Sequence, residues 1–147
     1  MQTNWNERYM EMARKVSEWS KDPNTKVGAV AVGSKGQILS QGFNGFPRGI
    51  LDSDDRLQDR ETKYKYVVHA EMNVIYNATY NGVSLDKASL YVYGLPVCSE
   101  CCKGIIQVGI ARVYVSKECL ELRPHWQESW MRSVDMFSEA GLEVFAI

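Results

Sequence analysis

Two short clusters in this 147-residue chain carry side chains that could do chemistry. They are His69-Ala70-Glu71 and Cys98-Ser99-Glu100-Cys101, the second beginning 27 residues after Glu71. Two thiolates and one imidazole suit a tetrahedral zinc that keeps its fourth position for water, the arrangement of a catalytic rather than a structural site. Two thiolates also neutralise the dication. Both clusters are predicted to open helices, where the macrodipole lowers a thiol pKa and favours the ligating form. Taken singly, each has a plainer meaning. Cys-x-x-Cys serves as a redox pair or half of a zinc knuckle, a lone His as a helix cap, and Glu71 as a first-turn helix charge. Their combination and order favour the metal. With His69 and His125 the only histidines, a three-histidine zinc site is impossible within one chain. Cys102 and Cys119 read as small packing residues, and His125 as a surface or helix-start residue.

The elements that must position these clusters follow from periodicity. Trp5, Tyr9, Met12, Val16 and Trp19 recur at intervals of three and four. They mark one face of a helix over Asn4 to Ser20, with Thr3 or Asn4 as its cap. Lys21-Asp22-Pro23-Asn24 breaks it. Lys26 to Val32 reads as a buried strand, Ser34-Lys35-Gly36 as a turn, and Gln37 to Phe43 as the second strand of an antiparallel hairpin. A loop is expected from Asn44 to about Asp59, with an acidic cluster at Asp52, Asp54 and Asp55; loops of that length are functional or mobile. Then come a helix over His69 to Tyr80, a strand over Ser89 to Tyr93 and a short helix over Ser99 to Val108. A strand over Arg112 to Val115 and a long helix over Pro124 to Ala140 follow, the helix carrying Trp126, Trp130, Val134 and Phe137. Leu142 to Ala146 closes as a strand. This alternation makes an α/β fold with a mainly parallel sheet covered on both faces and an antiparallel hairpin at its start.

Composition excludes other classes. Hydrophobic residues make up 45% and charged residues 24%, ordinary for one globular domain over 1–147. Seventeen Lys and Arg against eighteen Asp and Glu leave a charge of -1, which argues against a nucleic-acid partner. No run approaches the roughly 18–20 apolar residues of a membrane span, and MQTNWNERYM has no apolar stretch behind a basic start. The chain is therefore expected in the cytoplasm, away from membranes, with reduced thiols.

The zinc deaminase signature is His-x-Glu followed by Pro-Cys-x-x-Cys, met here with Val97 standing between Pro96 and Cys98. The chain resembles the cytidine deaminase superfamily over about Trp5 to Ile147, and most closely its deoxycytidylate (dCMP) deaminase branch. Its marks are Lys26-Val27-Gly28-Ala29-Val30, Gly42-Phe43-Asn44-Gly45 with Pro47-Arg48-Gly49, and Lys63-Tyr64 with Tyr66-Val67 leading into His69-Ala70-Glu71. Ile105-Ile106-Gln107 with Gly109-Ile110 follows the cysteines. The resemblance implies a three-layer α/β/α sandwich with a five-stranded mixed sheet, and hydrolytic deamination of dCMP to dUMP and ammonia. One catalytic Zn2+ held by His69, Cys98 and Cys101 would acidify its water toward a pKa of about 7. Glu71 would shuttle the protons. The resemblance places Asn44 on the sugar and Tyr66 near the base, with Lys26 and Arg48 as cations for the phosphate. It implies a homohexamer activated by dCTP and inhibited by dTTP, with Mg2+ accompanying the triphosphate. The effector loop would comprise Gly42, Phe43, Asn44 and Gly45, with Arg48 beyond it. Phe43 stands where Tyr is common, and Ile50 where some members carry a Cys of an additional structural zinc. A tRNA adenosine deaminase, a free cytidine deaminase and a non-catalytic zinc module are the competing readings. The tRNA enzyme would carry a basic surface, and the module has no need of Glu71.

Overall fold

Strand β1 (Gly28–Val32) is buried at every position, which is why it reads as an unbroken apolar run rather than an alternating one. In the computed structural model, which describes residues 4–121 and 124–147 except for the side chains of 124 and 125, it lies second in a five-stranded sheet. The order is β2-β1-β3-β4-β5, with β2 at Ile38–Phe43, β3 at Ser89–Tyr93, β4 at Arg112–Val115 and β5 at Glu143–Ala146. Strand β1 is antiparallel to both β2 and β3, while β3, β4 and β5 are mutually parallel. Four strands therefore run one way and β1 alone runs against them. The expected hairpin is present, but the chain leaving β2 crosses over β1 to place β3 on its far side. The reading of His125 falls on a side chain outside those described.

Helix α1 (Trp5–Ser17) covers one face of the sheet, with Ala13 and Val16 against Val30, Val32 and Tyr91. Asn4 caps it, its Oδ1 accepting from Glu7 N at 3.2 Å. The buried stripe is Ala13, Val16 and Ser17, whereas Trp5 and Trp19 are 56% and 54% exposed. Of the periodic set Val16 is buried and Tyr9 packs against the same cluster, but the residues that flank Val16 on the inward stripe are the small Ala13 and Ser17 rather than the tryptophans. The reason is spacing: a Cβ on Gly28 would lie 2.2 Å from Ala13 O and 2.5 Å from Ser17 N, so only small residues fit where helix and strand meet. Beyond α1, Tyr91, Tyr114 and Phe145 stack across β3, β4 and β5 with ring centroids 4.5 and 4.9 Å apart.

The opposite face carries α4 (Ala70–Tyr80), α5 (Ser99–Gln107) and α6 (Pro124–Ala140). Ala70, Val74 and Ala78, Cys102 and Ile105, and Phe137 pack there against Ala29, Leu90, Val92 and Val113. Cys102 and Cys119 are buried; Cys102 Sγ donates to Ser133 O at 3.5 Å, and Cys119 Sγ accepts from Gly94 N at 3.2 Å. The segment expected as loop holds helix α2 (Asp54–Gln58), followed by α3 (Arg60–Tyr66). Ser53 caps α2, and the acidic pair Asp54 and Asp55 occupies its first turn, where carboxylates offset the helix dipole. Two of the three acidic residues thus open a helix, while Asp52 stands before its cap and pairs with Lys21. A 3-10 turn at Lys117–Leu120 follows β4.

Register decides where a site can form. Gly28 pairs with Phe43 on one side and Tyr93 on the other. The start of β1 and the ends of β2 and β3 therefore meet at one edge, together with the N-termini of α4 and α5. Ligands of open α/β sheets bind at the carboxyl ends of the strands. At the other edge the connections are tight, with Gly109 and Gly141 both left-handed at φ 85°.

Helix α4 is held unusually close to β2. Ser40 Oγ donates to Val74 O at 2.8 Å, Asn73 Nδ2 to Phe43 O at 2.7 Å, and Asn77 Nδ2 to Gln41 O at 2.7 Å. A Cβ on Gly42 would sit 2.7 Å from Val74 N and 2.8 Å from Ala70 O. Gly42→Ala should therefore push α4 off the sheet and cost about 1–3 kcal/mol, as overpacking does. A lowered denaturation midpoint in urea checks this, and an unchanged midpoint would contradict it.

Candidate metal centre and cleft

His69 and Cys98 are the N-cap residues of α4 and α5, each with extended backbone, and Cys101 lies one turn into α5. Cys98 Sγ accepts from Cys101 N at 3.4 Å, a bond that favours the thiolate. His69 Nδ1 lies 3.3 Å from Cys101 Sγ and 3.4 Å from Cys98 Sγ. Bonds of about 2.1 Å to nitrogen and 2.3 Å to sulfur in a tetrahedron put such atoms about 3.6 Å apart. The three donors fit a zinc ion. They are the one His, Cys and carboxylate cluster of metal-binding size among the described residues, all three ligand atoms lying within 4.8 Å of one another.

The electrostatics agree with that reading. Hydrogen bonding from Cys101, and then from His69, pulls the Cys98 thiol down to about 4 despite its burial. Cys101 is pushed up because its bond to Cys98 favours the protonated thiol. The bond to Cys98 raises His69. A metal ion would displace these protons, since ligating thiols bind as thiolates. Glu71, on the first turn of α4 and 4% exposed, is raised to about 7 by burial, with the His69 charge opposing. A carboxyl poised near neutrality can both take and give a proton.

These groups form one end of a cleft walled by Val27, Leu95 and Pro96, with Thr25, Asp22, Asn44 and Lys63 around the remainder and Tyr64 and Trp126 also lining it. Asn44 is fixed: its Oδ1 accepts from Val27 N at 2.8 Å and its Nδ2 donates to Thr25 O at 2.9 Å. Tyr66 does not line this cleft. It packs edge-on against Phe46 at 5.6 Å and under Arg56 at 5.0 Å, while the tyrosine that lines the cleft is Tyr64. Lys26 is likewise outside, its Nζ donating to Ser20 O; the lysine in the wall is Lys63, paired with Asp22. Val97 is fully buried, and its carbonyl accepts from Ser133 Oγ of α6 at 2.8 Å. The extra residue thus docks α6 and leaves Cys98 at its cap.

A second hollow lies behind the same wall, lined by Phe43, Gly45, Arg48 and Trp19 and sharing Asp22, Asn44 and Lys63 with the cleft. Arg48 donates to Asn77 Oδ1 and lies 5.0 Å over the Tyr80 ring. Gly42 faces α4, whereas a Cβ on Gly45 would meet only Phe43 at 3.9 Å. Sequence reasoning passed over Asp22, Lys63 and Trp126: it took the first for part of a helix break, the second for a motif residue and the third for core.

The sequence pattern of the cytidine and deoxycytidylate deaminase zinc-binding region matches residues 3–117, and the chain belongs to that family. It is 42% identical over 144 residues to an uncharacterized deaminase from the luxG 3′ region of Aliivibrio fischeri, covering 98% of this chain and 94% of that one. It is 44% identical over 116 residues to the deoxycytidylate deaminase of Homo sapiens, covering 74% of this chain and 62% of the human protein. The chain thus spans less than two thirds of the human enzyme's length. Among solved structures, the dCMP deaminase of cyanophage S-TIM5 in complex with dCMP and dUMP superposes with a TM-score of 0.78 at 28% identity, over 100% of this chain and 99% of that one. A tRNA:A34 deaminase, at 20% identity and TM-score 0.57 over 98% of this chain and 100% of its own, shares the fold alone. No helix among the described residues is long and apolar enough to cross a membrane.

Metal analysis of the purified protein should find about one zinc per chain, and Cys98→Ala with Cys101→Ala should find none. Zinc retained by the double variant would place the metal elsewhere.

Proposed function

We propose that the protein hydrolyses dCMP to dUMP and ammonia. The observation that carries this is the convergence of His69, Cys98 and Cys101 beside a buried carboxyl at the end of a cleft. The likeness to deaminases that act on deoxycytidylate names the substrate. Zinc in such a site supplies a Lewis acid and an acidified water at neutral pH. The protein's own groups do the rest. Glu71 takes the proton of the attacking water and passes it to the ring nitrogen beside the amino-bearing carbon. It then carries the proton of the new ring hydroxyl to the amino group, which leaves as ammonia while the oxygen stays on the carbon as a carbonyl. Burial suits it to this work, because a carboxyl raised to about 7 holds and releases a proton at similar cost. Val27, Leu95 and Pro96 offer apolar walls for the pyrimidine, and Asn44 in the same lining suits the sugar.

Ammonia release assayed on dCMP, deoxycytidine, cytidine and tRNA tests this reading. dCMP should be preferred, and Glu71→Gln should keep its zinc while losing turnover by at least about 10²–10⁴. Near-normal turnover in that variant would reduce Glu71 to a helix charge, and equal efficiency on dCMP and deoxycytidine would indicate a nucleoside enzyme.

Regulation belongs to the same proposal. The second hollow brings Phe43, Asn44, Gly45 and Arg48 together and shares a wall with the cleft, which suits a site where dCTP activates and dTTP inhibits, with Mg2+ on the triphosphate, in a homohexamer. Each effector must then bind the active and inactive states unequally. Titrating either nucleotide with Mg2+ should shift the dCMP saturation curve, in opposite directions, and Arg48→Ala should blunt the shift. Unchanged curves with both would mean an unregulated enzyme.

A further inference from the structure

We propose that the buried Asp22–Lys63 pair receives the sugar hydroxyl of the nucleotide, so that this part of the cleft selects ligands by hydrogen bonding rather than by charge. The inference rests on the reading that a deoxycytidine nucleotide occupies the cleft. Asp22 and Lys63 are 8% and 6% exposed, and Lys63 Nζ lies 3.3 Å from Asp22 Oδ1. Oδ1 also accepts from Asn24 N at 2.9 Å and Thr25 N at 3.1 Å, so the turn itself fixes the carboxylate. Among the described residues these bonds all fall on Oδ1, leaving Oδ2 as an acceptor. Lys63 likewise uses one of its three ammonium donors on Asp22. No enclosed side-chain nitrogen or oxygen among the described residues lacks a partner, so Asp22 Oδ2 is not sealed off, and both residues of the pair line the cleft.

Charge decides what can fill it. Lys63 is the one Lys or Arg lining the cleft among the described residues, and Asp22 cancels it. A phosphate dianion would meet a carboxylate already in place. A hydroxyl both donates and accepts, and matches a site offering a free acceptor on Asp22 and free donors on Lys63. Asn44, in the same wall, has a second N–H beyond the one given to Thr25 O. In dCMP the sugar carries one such group, the 3′-hydroxyl. A site built to bond a hydroxyl rejects the analogue lacking it far more strongly than an apolar pocket rejects a missing methylene.

The test compares kcat/KM for dCMP, 2′,3′-dideoxycytidine 5′-monophosphate and deoxycytidine, on the zinc-loaded protein and on Asp22→Asn and Lys63→Gln. The unaltered protein should favour dCMP over the dideoxy nucleotide by about 100-fold or more. Either variant should shrink that ratio at least about tenfold while leaving the dCMP-to-deoxycytidine ratio within about threefold. Calorimetric binding of the two nucleotides to zinc-loaded Glu71→Gln repeats the comparison without turnover and uses no change in the pair. Similar handling of both nucleotides by the unaltered protein overturns the inference. So do equal losses on both in the variants, which would make the pair purely structural, and a collapsed preference over deoxycytidine, which would make it a phosphate site. A protein that deaminates none of the three fails the proposed activity instead, and the calorimetric comparison still decides the hydroxyl.

Discussion

Everything in the cleft depends on how closely α4 lies on β2. Gly42 removes the side chain that would hold them apart, and the Ser40, Asn73 and Asn77 bonds tie the helix to the strand. Such bonds to backbone carbonyls contribute about 1 kcal/mol each. Their larger effect is positional, because His69 and Glu71 stand on the first turn of the helix they secure. In the proposed mechanism these two would serve as metal ligand and proton carrier, roles that tolerate displacements of only about half an ångström. Gly42, which the resemblance places in an effector loop, is thus what lets the start of α4 sit where it does.

Much of this was legible in the residues. Strands β3 and β4 have the bounds read from sequence, because buried strands between turn residues give a compact apolar signal. The cluster of His69, Cys98 and Cys101 was legible because His69 and Cys98 each mark a helix start, and helix starts in an α/β fold gather at one edge of the sheet. What escaped was tertiary. The inward face of α1 is set by how near β1 runs, and small residues carry no periodic apolar signal. Lys63 and Asp22 lie 41 positions apart, and nothing local distinguishes a buried lysine from an exposed one. Tyr64 and Tyr66 are two positions apart on one short helix and so point to different sides, which a motif does not reveal.

The Asp22–Lys63 pair also illustrates a general tension. Two buried charges lose much of their hydration, and their attraction returns it only when the remaining hydrogen-bonding positions are filled. Asn24 and Thr25 fill two of them from the backbone. The pair therefore joins the segment after α1 to α3, in the wall of the cleft that also holds His69. An interaction that adds little to stability can still determine which conformation of a wall is the lowest in energy.

The reversed direction of β1 divides the molecule into two unlike edges. Connections at the edge away from the cleft are short and close through left-handed residues such as Gly109 and Gly141. The cleft edge instead carries the long excursion through α2 and α3. Change in length is costly where a turn must reverse within a few residues, and cheap where the chain already wanders. Over evolutionary time such a scaffold can therefore lengthen or shorten around its ligand without disturbing its sheet, and new specificities would accumulate on one side of the protein only.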